Sequence, residues 1–193
     1  MTNKTETEAE NEIIKSLNHY SKEFKKKRQQ TGSLSKEHDL LMDVFNITPE
    51  EKQRNAQFWG RELGMLWQNI VKSVCKNSNV QYSGPITVTD PDGKSDEPCD
   101  LTVNDYAIDT KYRIGSGDSK FSKKFRPNFK ILREQYKLTP VLLILRDDNL
   151  PSPIHRAEKE GWIVKTGNDS FNFLKELTNY DLKEFLKRNS GKY

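Results

Sequence analysis

The 193-residue chain has few of the residues that build several common kinds of site. It has two cysteines, Cys75 and Cys99, in unrelated sequence contexts, so neither a disulfide framework nor a zinc site is indicated. The three histidines, His19, His38 and His155, are scattered, which argues against a histidine-rich metal cluster. Apolar residues make up 33% of the chain, below the usual share, and this indicates a large solvated surface.

Long apolar runs are also lacking. No stretch approaches the roughly 18 apolar residues of a membrane span. The first residues are polar and acidic, without the apolar core of a signal peptide. No phosphate-binding loop of the ATPase type is present. We therefore expect a cytoplasmic protein with no membrane partner and no nucleotide cofactor.

Positive charge is concentrated in one segment of the chain. The net charge is only +4, but residues 111–137 contain nine lysines and arginines against two acids, which gives +7 there and −3 elsewhere. A local basic zone in a nearly neutral protein is typical of a surface that binds a polyanion. The alternative interpretation is an ordinary solvated helix face.

Helical patterns dominate the first part of the chain. We expect residues 1–12 to be flexible, and apolar spacing predicts a helix from Ile13 and a short helix over residues 40–45. Thr48 before Pro49 is a typical helix start, and it predicts one long helix to about Cys75. Its apolar stripe consists of Trp59, Leu63, Leu66, Trp67, Ile70 and Val74.

The pattern then changes to that of strands. Alternation predicts strands at Ile86–Thr89, at 101–103 and at 107–111, with Asn104-Asp105 as a two-residue turn. The apolar run 139–146 predicts a strand buried on both faces. A helix at 152–160, a strand at 162–165 and helices at 169–177 and 180–188 follow.

This order predicts an α/β fold, in which a mixed central sheet (a meander plus a crossover strand) is flanked by helices. We expect residues 13–193 to form a single domain. Within it, residues 13–54 would be a helical annex, 55–165 the core and 166–193 the C-terminal helices.

The predicted hairpin brings charged residues together. With Asn104-Asp105 as the turn, Asp100 lies opposite Asp109, and opposed side chains share a face at a Cβ separation of about 5 Å. Lys111, two residues further on, shares that face. Two opposed carboxylates repel each other, and Mg²⁺ is a natural compensating ion because it binds one or two carboxylates, waters and phosphate oxygens. The alternative is a surface hairpin with incidental charges.

The segment Asp100–Lys111 resembles the D-X(n)-(D/E)-X-K signature of the PD-(D/E)XK nucleases, and the likeness in element order covers roughly residues 55–165. The resemblance implies a restriction-endonuclease-like fold in which Asp100, Asp109 and the Thr110 carbonyl bind Mg²⁺. Lys111 would then serve the nucleophilic water.

The chain departs from the family pattern at the first motif, because Cys99 stands where the family has proline. A literal Pro91-Asp92 lies upstream, and Asp92 is the alternative first ligand. We favour Asp100 because residues 93–98 show no strand pattern.

The family often adds a glutamate from a helix before the sheet. Glu62 is the candidate, and Gly60 and Gly64 would allow a close backbone approach to the sheet. The alternative is an exposed helix carboxylate.

The basic zone would contact DNA phosphates, which gives affinity without sequence choice. Phe121, Phe125 and Phe129 are spaced four residues apart and are interpreted as a core stripe. The predicted DNA-binding residues are Arg113, Lys120, Lys123, Lys124, Arg126 and Lys130.

Taken together, the expected function is a type II restriction endonuclease that acts on double-stranded DNA as a homodimer, since a two-fold dimer can cut both strands of a palindrome. The alternatives are a repair, nicking or junction-resolving nuclease, and a DNA-binding module without catalysis.

Overall fold

A computed structural model describes residues 2–27, 38–89, 93, 95–115 and 123–193. The chain divides into two compact units, a helical unit (Met1–Ser78 with Leu174–Tyr193) and a sheet unit (Asn79–Phe173). The divisions between these units fall at 78/79 and 173/174. The long helix before the sheet therefore groups with the N-terminal helices, whereas the single-domain organisation of residues 13–193 stays a prediction. The predicted annex, core and C-terminal segments (13–54, 55–165 and 166–193) also stay predictions.

The helical unit has an aromatic core. Phe24 is buried, and its ring makes edge contacts with Phe45 and Trp59 at centroid distances of 4.7 Å each. The first helix begins earlier than predicted, ahead of Ile13, so part of the segment expected to be flexible is helical; flexibility itself stays a prediction. The helices are α1 (Thr2–Lys27), α2 (Leu40–Val44), α3 (Pro49–Arg54), α4 (Ala56–Lys76) and α8 (Leu182–Arg188).

The predicted single helix from Pro49 to Cys75 is wrong, because the chain breaks at Asn55. Asn55 has φ −145° and ψ 64°, which ends α3, and its side chain accepts a hydrogen bond from the amide of Phe58 at 3.3 Å, which begins α4. The predicted cap is confirmed, since the Thr48 hydroxyl accepts from the amide of Glu51. The predicted apolar stripe of α4 is buried throughout.

The sheet unit is built on a mixed five-stranded sheet, which confirms the predicted α/β class. The order is β1-β4-β5-β6-β7; β1, β4 and β5 pair antiparallel, whereas β5, β6 and β7 run parallel. Strand β6 is buried, as its apolar sequence predicts. The strands are β1 (Tyr82–Ser83), β2 (Ile86–Thr89), β3 (Ser95–Cys99), β4 (Leu101–Val103), β5 (Tyr106–Lys111), β6 (Thr139–Ile144) and β7 (Ile163–Thr166).

The predicted meander needs a correction. Strand β2 does not join the main sheet, because it pairs with β3 in a separate two-stranded sheet, and β1 takes the place beside β4. The sequence reasoning missed β3 because its acids and Pro98 are rare in strands. Proline is tolerated there because β3 pairs with one strand in its sheet and has an open edge.

Helices cover the sheet. Helix α5 (Phe125–Lys130), a turn of π-helix (Ile131–Gln135) and α6 (Pro151–Lys159) supply residues to a buried cluster on the face of Ala107 and Leu142. Pro127 lies in the first turn of α5, where its missing amide hydrogen leaves no bond unmade.

The predicted phenylalanine stripe is buried or half-buried at Phe125 and Phe129, and Phe121 lies outside the described residues. On the opposite face, Phe173 of α7 (Gly167–Thr178) contacts the ring of Tyr106 at 5.4 Å. None of the helices in the described ranges combines the length and apolar character that crossing a bilayer requires.

Candidate active site

The β4–β5 hairpin has the predicted turn. Val103 pairs with Tyr106 and Leu101 with Ile108, so Asn104 and Asp105 form the two-residue connection. Asn104 has φ 50°, a left-handed conformation that asparagine tolerates better than most residues. The Asn104 side chain also accepts from the amide of Gln81 at 3.0 Å, which ties the turn to the residue before β1.

Asp100 lies one residue beyond the last paired position of this hairpin. Its amide donates to the carbonyl of Ile108 at 2.9 Å, an offset of the kind seen at β-bulges, and the pairing of Asp100 with Asp109 is absent from the strand register. The Asp100 carboxylate turns towards β5, where Oδ2 accepts from the Thr110 amide at 2.7 Å and from the Thr110 hydroxyl at 2.6 Å. Two hydrogen bonds to one oxygen fix the orientation of this carboxylate.

Asp109 is buried, with 7% of its surface exposed. Its side chain lies on the same face of β5 as that of Ala107, and Asp109 pairs with Leu142 of the parallel strand β6. Ala107 and Leu142 both belong to the buried cluster. The pKa of Asp109 is raised to about 6: burial raises it most, Lys111 lowers it, and the nearby charge of Asp100 adds to the rise. The two predicted acids are therefore close enough to interact.

Lys111 supplies the cation of this group. Its Nζ donates to Oδ1 of Asp109 at 2.7 Å, and its side chain is 31% exposed, so the ammonium lies at the edge of the site. One ammonium does not offset the burial of Asp109, since the pKa of that carboxyl stays above its ordinary value. Asp100, Asp109 and Lys111 are called the acid cluster below.

The acid cluster fits a hard divalent cation. Mg²⁺ is usually held by one or two carboxylates, with waters and phosphate oxygens completing its shell. Within the described ranges, no group of three or more His, Cys, Asp or Glu side chains is placed to hold a metal ion. A site here would therefore use the two carboxylates, and the ligand role of the Thr110 carbonyl stays a prediction.

The residue in the place of the family proline is a neutral thiol. Cys99 is buried, and burial together with the charges of Asp109 and Asp100 raises its pKa to about 11. In the metal-free protein Cys99 is therefore a protonated thiol at neutral pH, and sulfur is not among the oxygen ligands that Mg²⁺ prefers.

The alternative first acid, Asp92, lies outside the described residues. Asp100 was preferred because residues 93–98 were predicted to form no strand. That prediction is wrong, because residues 95–99 form β3. What now supports Asp100 is its contact with Thr110 and its effect on Asp109.

Glu62 belongs to the helical unit. It lies on α4, its side chain is 15% exposed, and its Oε1 accepts from Arg61 at 2.7 Å. A Cβ added at Gly60 would meet no atom within 4 Å among the described neighbours. The catalytic role of Glu62 stays a prediction.

Three of the predicted DNA-binding residues have acidic partners. Arg113 bonds to the carboxylate of Asp148 at 2.9 Å, and Lys124 makes two bonds to Asp96 at 2.7 and 2.9 Å. Arg126 has a longer contact of 3.8 Å with Glu160 and is 72% exposed. These pairs leave the three side chains less available to phosphate than the sequence suggests.

Lys123 and Lys130 are exposed, and neither forms an ion pair within the part of the chain that the structure describes. Lys120 falls outside that part. The two exposed lysines are the members of the predicted set best placed to meet a phosphate backbone.

Sequence reasoning missed a second charged group beside the site. Arg146, 5% exposed, directly follows the buried run of β6 and donates to Asp148 at 2.6 Å. Its guanidinium carbon lies 5.7 Å from the centre of the Tyr112 ring, next to Lys111 in the chain. A charged residue at the end of an otherwise apolar run was the available signal.

No family model matches the chain, and no curated protein matches it in sequence.

Proposed function

We propose that this chain is a magnesium-dependent DNA endonuclease that hydrolyses phosphodiester bonds at the acid cluster. The observation that carries the proposal is the buried carboxyl of Asp109, whose pKa is raised to about 6 beside a second acid and a single ammonium. Strongly perturbed groups of this kind are concentrated at functional sites.

The residues divide the chemistry among them. Asp109 and Asp100 would hold Mg²⁺, and the two bonds from Thr110 keep the Asp100 carboxylate turned towards β5. Mg²⁺ bound there would lower the pKa of a coordinated water and offset negative charge on the phosphate. The Lys111 ammonium, at the edge of the site, would orient the attacking water or donate to a phosphate oxygen as charge develops.

We further propose that the substrate is double-stranded DNA and that the chain is a type II restriction enzyme acting as a homodimer. The support is the resemblance of Asp100–Lys111 to the PD-(D/E)XK signature, together with the exposed lysines Lys123 and Lys130. Phosphate contacts of this kind give affinity and register, whereas base contacts give sequence choice.

One observation favours a DNA-binding module without catalysis. The acids are partly satisfied within the chain, since Lys111 bonds to Asp109 and Thr110 bonds to Asp100. On this alternative the acid cluster would be a structural ion group, and DNA would be bound but not cut.

Incubation of the full chain with supercoiled plasmid in Mg²⁺ and in EDTA separates these functions. We expect discrete fragments in Mg²⁺ only; a smear would indicate a non-specific nuclease and relaxed circles a nicking enzyme. A mobility shift without cutting in Mg²⁺ would overturn the proposed activity and support the binding module. The matched variants are Asp109→Asn in the acid cluster and Asp105→Asn at the exposed turn of the same hairpin.

A further inference from the structure

Strand β5 continues beyond its last paired residue as a segment tied to the chain that follows β6. The carbonyls of Lys111, Tyr112 and Ile114 accept hydrogen bonds from the amides of Leu145, Arg146 and Leu150 at 3.0, 3.1 and 3.0 Å. The backbone directly after Lys111 is therefore held along three further residues.

The side chain of Asn149 closes this connection. Its Oδ1 accepts from the amide of Ile114 at 2.8 Å, and its Nδ2 donates to the carbonyl of Arg146 at 2.6 Å. One amide group thus joins the two segments by satisfying a backbone donor on one and a backbone acceptor on the other.

Asp148 lies between two guanidinium groups. Its Oδ1 accepts from Nε of Arg146 at 2.6 Å. The Nε of Arg113 donates to the carbonyl of Asp148 at 2.8 Å and lies 2.9 Å from Oδ2 as an ion pair. Arg146 is nearly fully buried, and a buried charge is tolerated only when it is paired. This ion pair holds the Arg146 guanidinium beside Asp148, where it also lies against the ring of Tyr112.

We propose that Arg113, Arg146, Asp148 and Asn149, which we name the latch, are positioning residues that hold Lys111 in place for the reaction. The inference rests on the proposed function. Lys111 is followed at once by the three residues that the latch immobilises, and a displacement of about 1 Å in a catalytic group can cost about 100-fold in rate. On this account Arg113 acts through the backbone of β5 rather than on DNA.

The Asp148→Asn variant separates the two possible roles of Arg113, because they predict different changes in DNA affinity and in cleavage rate. If Arg113 is a DNA contact restrained by Asp148, removing the acid raises DNA affinity. If it belongs to the latch, DNA affinity stays within about twofold, whereas the single-turnover cleavage rate falls about 10- to 100-fold. Arg113→Gln should likewise lower the cleavage rate while DNA affinity stays within about twofold. Asp148→Glu should recover part of the cleavage rate that Asp148→Asn loses.

The experiment measures duplex binding in EDTA over a range of salt concentrations and cleavage in saturating Mg²⁺, using full-length protein. Asp105→Asn makes the same charge change at an exposed position and is the control. An unchanged cleavage rate in Asp148→Asn, or a rise in its DNA affinity, overturns the latch while the nuclease stands.

If the unaltered chain cuts no DNA, the proposed function fails and the latch is judged without activity. The amides that donate the bonds of this connection are those of Ile114, Leu145, Arg146 and Leu150. Their hydrogen exchange should then be at least about 10-fold faster in Asp148→Asn than in Asp105→Asn, under conditions where exchange in β6 is equal. Equal exchange at these four amides in the two variants overturns the latch.

Discussion

Two groups of three charged side chains follow each other along β5 and its extension, and their net charges have opposite signs. The acid cluster has two carboxylates and one ammonium, whereas Asp148 in the latch is one carboxylate between two guanidiniums. With every group ionised, the first carries −1 and the second +1. Lys111 and Arg113, which belong to different groups, are two residues apart in the chain.

The two settings act differently on their acids. Burial dominates at Asp109 and raises its pKa to about 6, despite Lys111. Partial burial also acts on Asp148, but the hydrogen bond and charge of Arg146, with the charge of Arg113, hold the pKa of that carboxyl below its ordinary value. The latch has two guanidiniums for one carboxylate, whereas the acid cluster has one ammonium for two carboxylates. Such a deficit of positive charge is expected where a cation binds.

The largest effect is expected from removing one of the two carboxylates that are proposed to hold Mg²⁺. Asp109→Asn should lower Mg²⁺-dependent cleavage by about 1000-fold or more, because a neutral amide is a poor ligand for Mg²⁺. DNA affinity in EDTA should change little. Rates measured against Asp105→Asn check this, and cleavage by Asp109→Asn within 10-fold of the control would show that the acid cluster is not the active site.

Removing the cation of the acid cluster should have the next largest effect. Lys111→Ala should lower the cleavage rate by about 100-fold, the usual scale for loss of a positioned proton-transfer or charge-stabilising group. It should also raise the pKa of Asp109, since Lys111 lowers it. Cleavage assays and a carbon-13 titration of the Asp109 carboxyl measure the two effects, and an unchanged rate would remove Lys111 from the mechanism.

The raised pKa of Asp109 also predicts how stability depends on pH. Because the folded value of about 6 exceeds the ordinary value of 3.8, the folded state binds more protons between these pH values. In EDTA, ionisation of Asp109 should therefore lower the free energy of unfolding as pH rises from about 4 to about 6, by on the order of 1–3 kcal/mol.

Asp109→Asn should remove this part of the pH dependence and stabilise the metal-free protein at pH 7. Denaturant unfolding of the wild type, Asp109→Asn and Asp105→Asn at several pH values measures it. A wild-type curve parallel to that of Asp109→Asn between pH 4 and 6 would contradict the burial argument.

The smallest effect is expected from cations outside both groups. Neutralising the exposed Lys123 and Lys130 to glutamine should weaken binding to every DNA sequence and reduce the slope of log K against log salt by about 1.8, at about 0.9 per phosphate contact. Lys159→Gln with Lys192→Gln, at exposed positions elsewhere, is the matched control. Equal slopes in the two double variants would exclude this surface as the DNA contact.

Local sequence signals predicted the parts of the molecule that depend on neighbouring residues. The Asn104-Asp105 turn, the Thr48 cap and the apolar strand at Thr139–Ile144 all follow from short-range chemistry, and the structure has each of them. The hairpin also places Asp100 beside β5, although its predicted pairing with Asp109 is absent from the strand register.

Features that depend on distant residues could not be predicted in this way. Strand β3 exists through its pairing with β2, although its own sequence disfavours a strand. The break at Asn55 is local, but it was missed because the sequence pattern is helical on both sides of it. The latch joins Arg113 to Asp148, 35 positions further along the chain. Arg113 was predicted from its charge to contact DNA, and its acidic partner could not be found from the sequence nearby.

The most direct test of the charge deficit is a carbon-13 NMR titration of the Asp109 carboxyl, with and without Mg²⁺. Without the metal, we expect a pKa of about 6. With saturating Mg²⁺, the pKa should fall by more than one unit, because a bound cation favours the ionised carboxylate. An ordinary pKa near 4 that does not respond to Mg²⁺ would contradict the account.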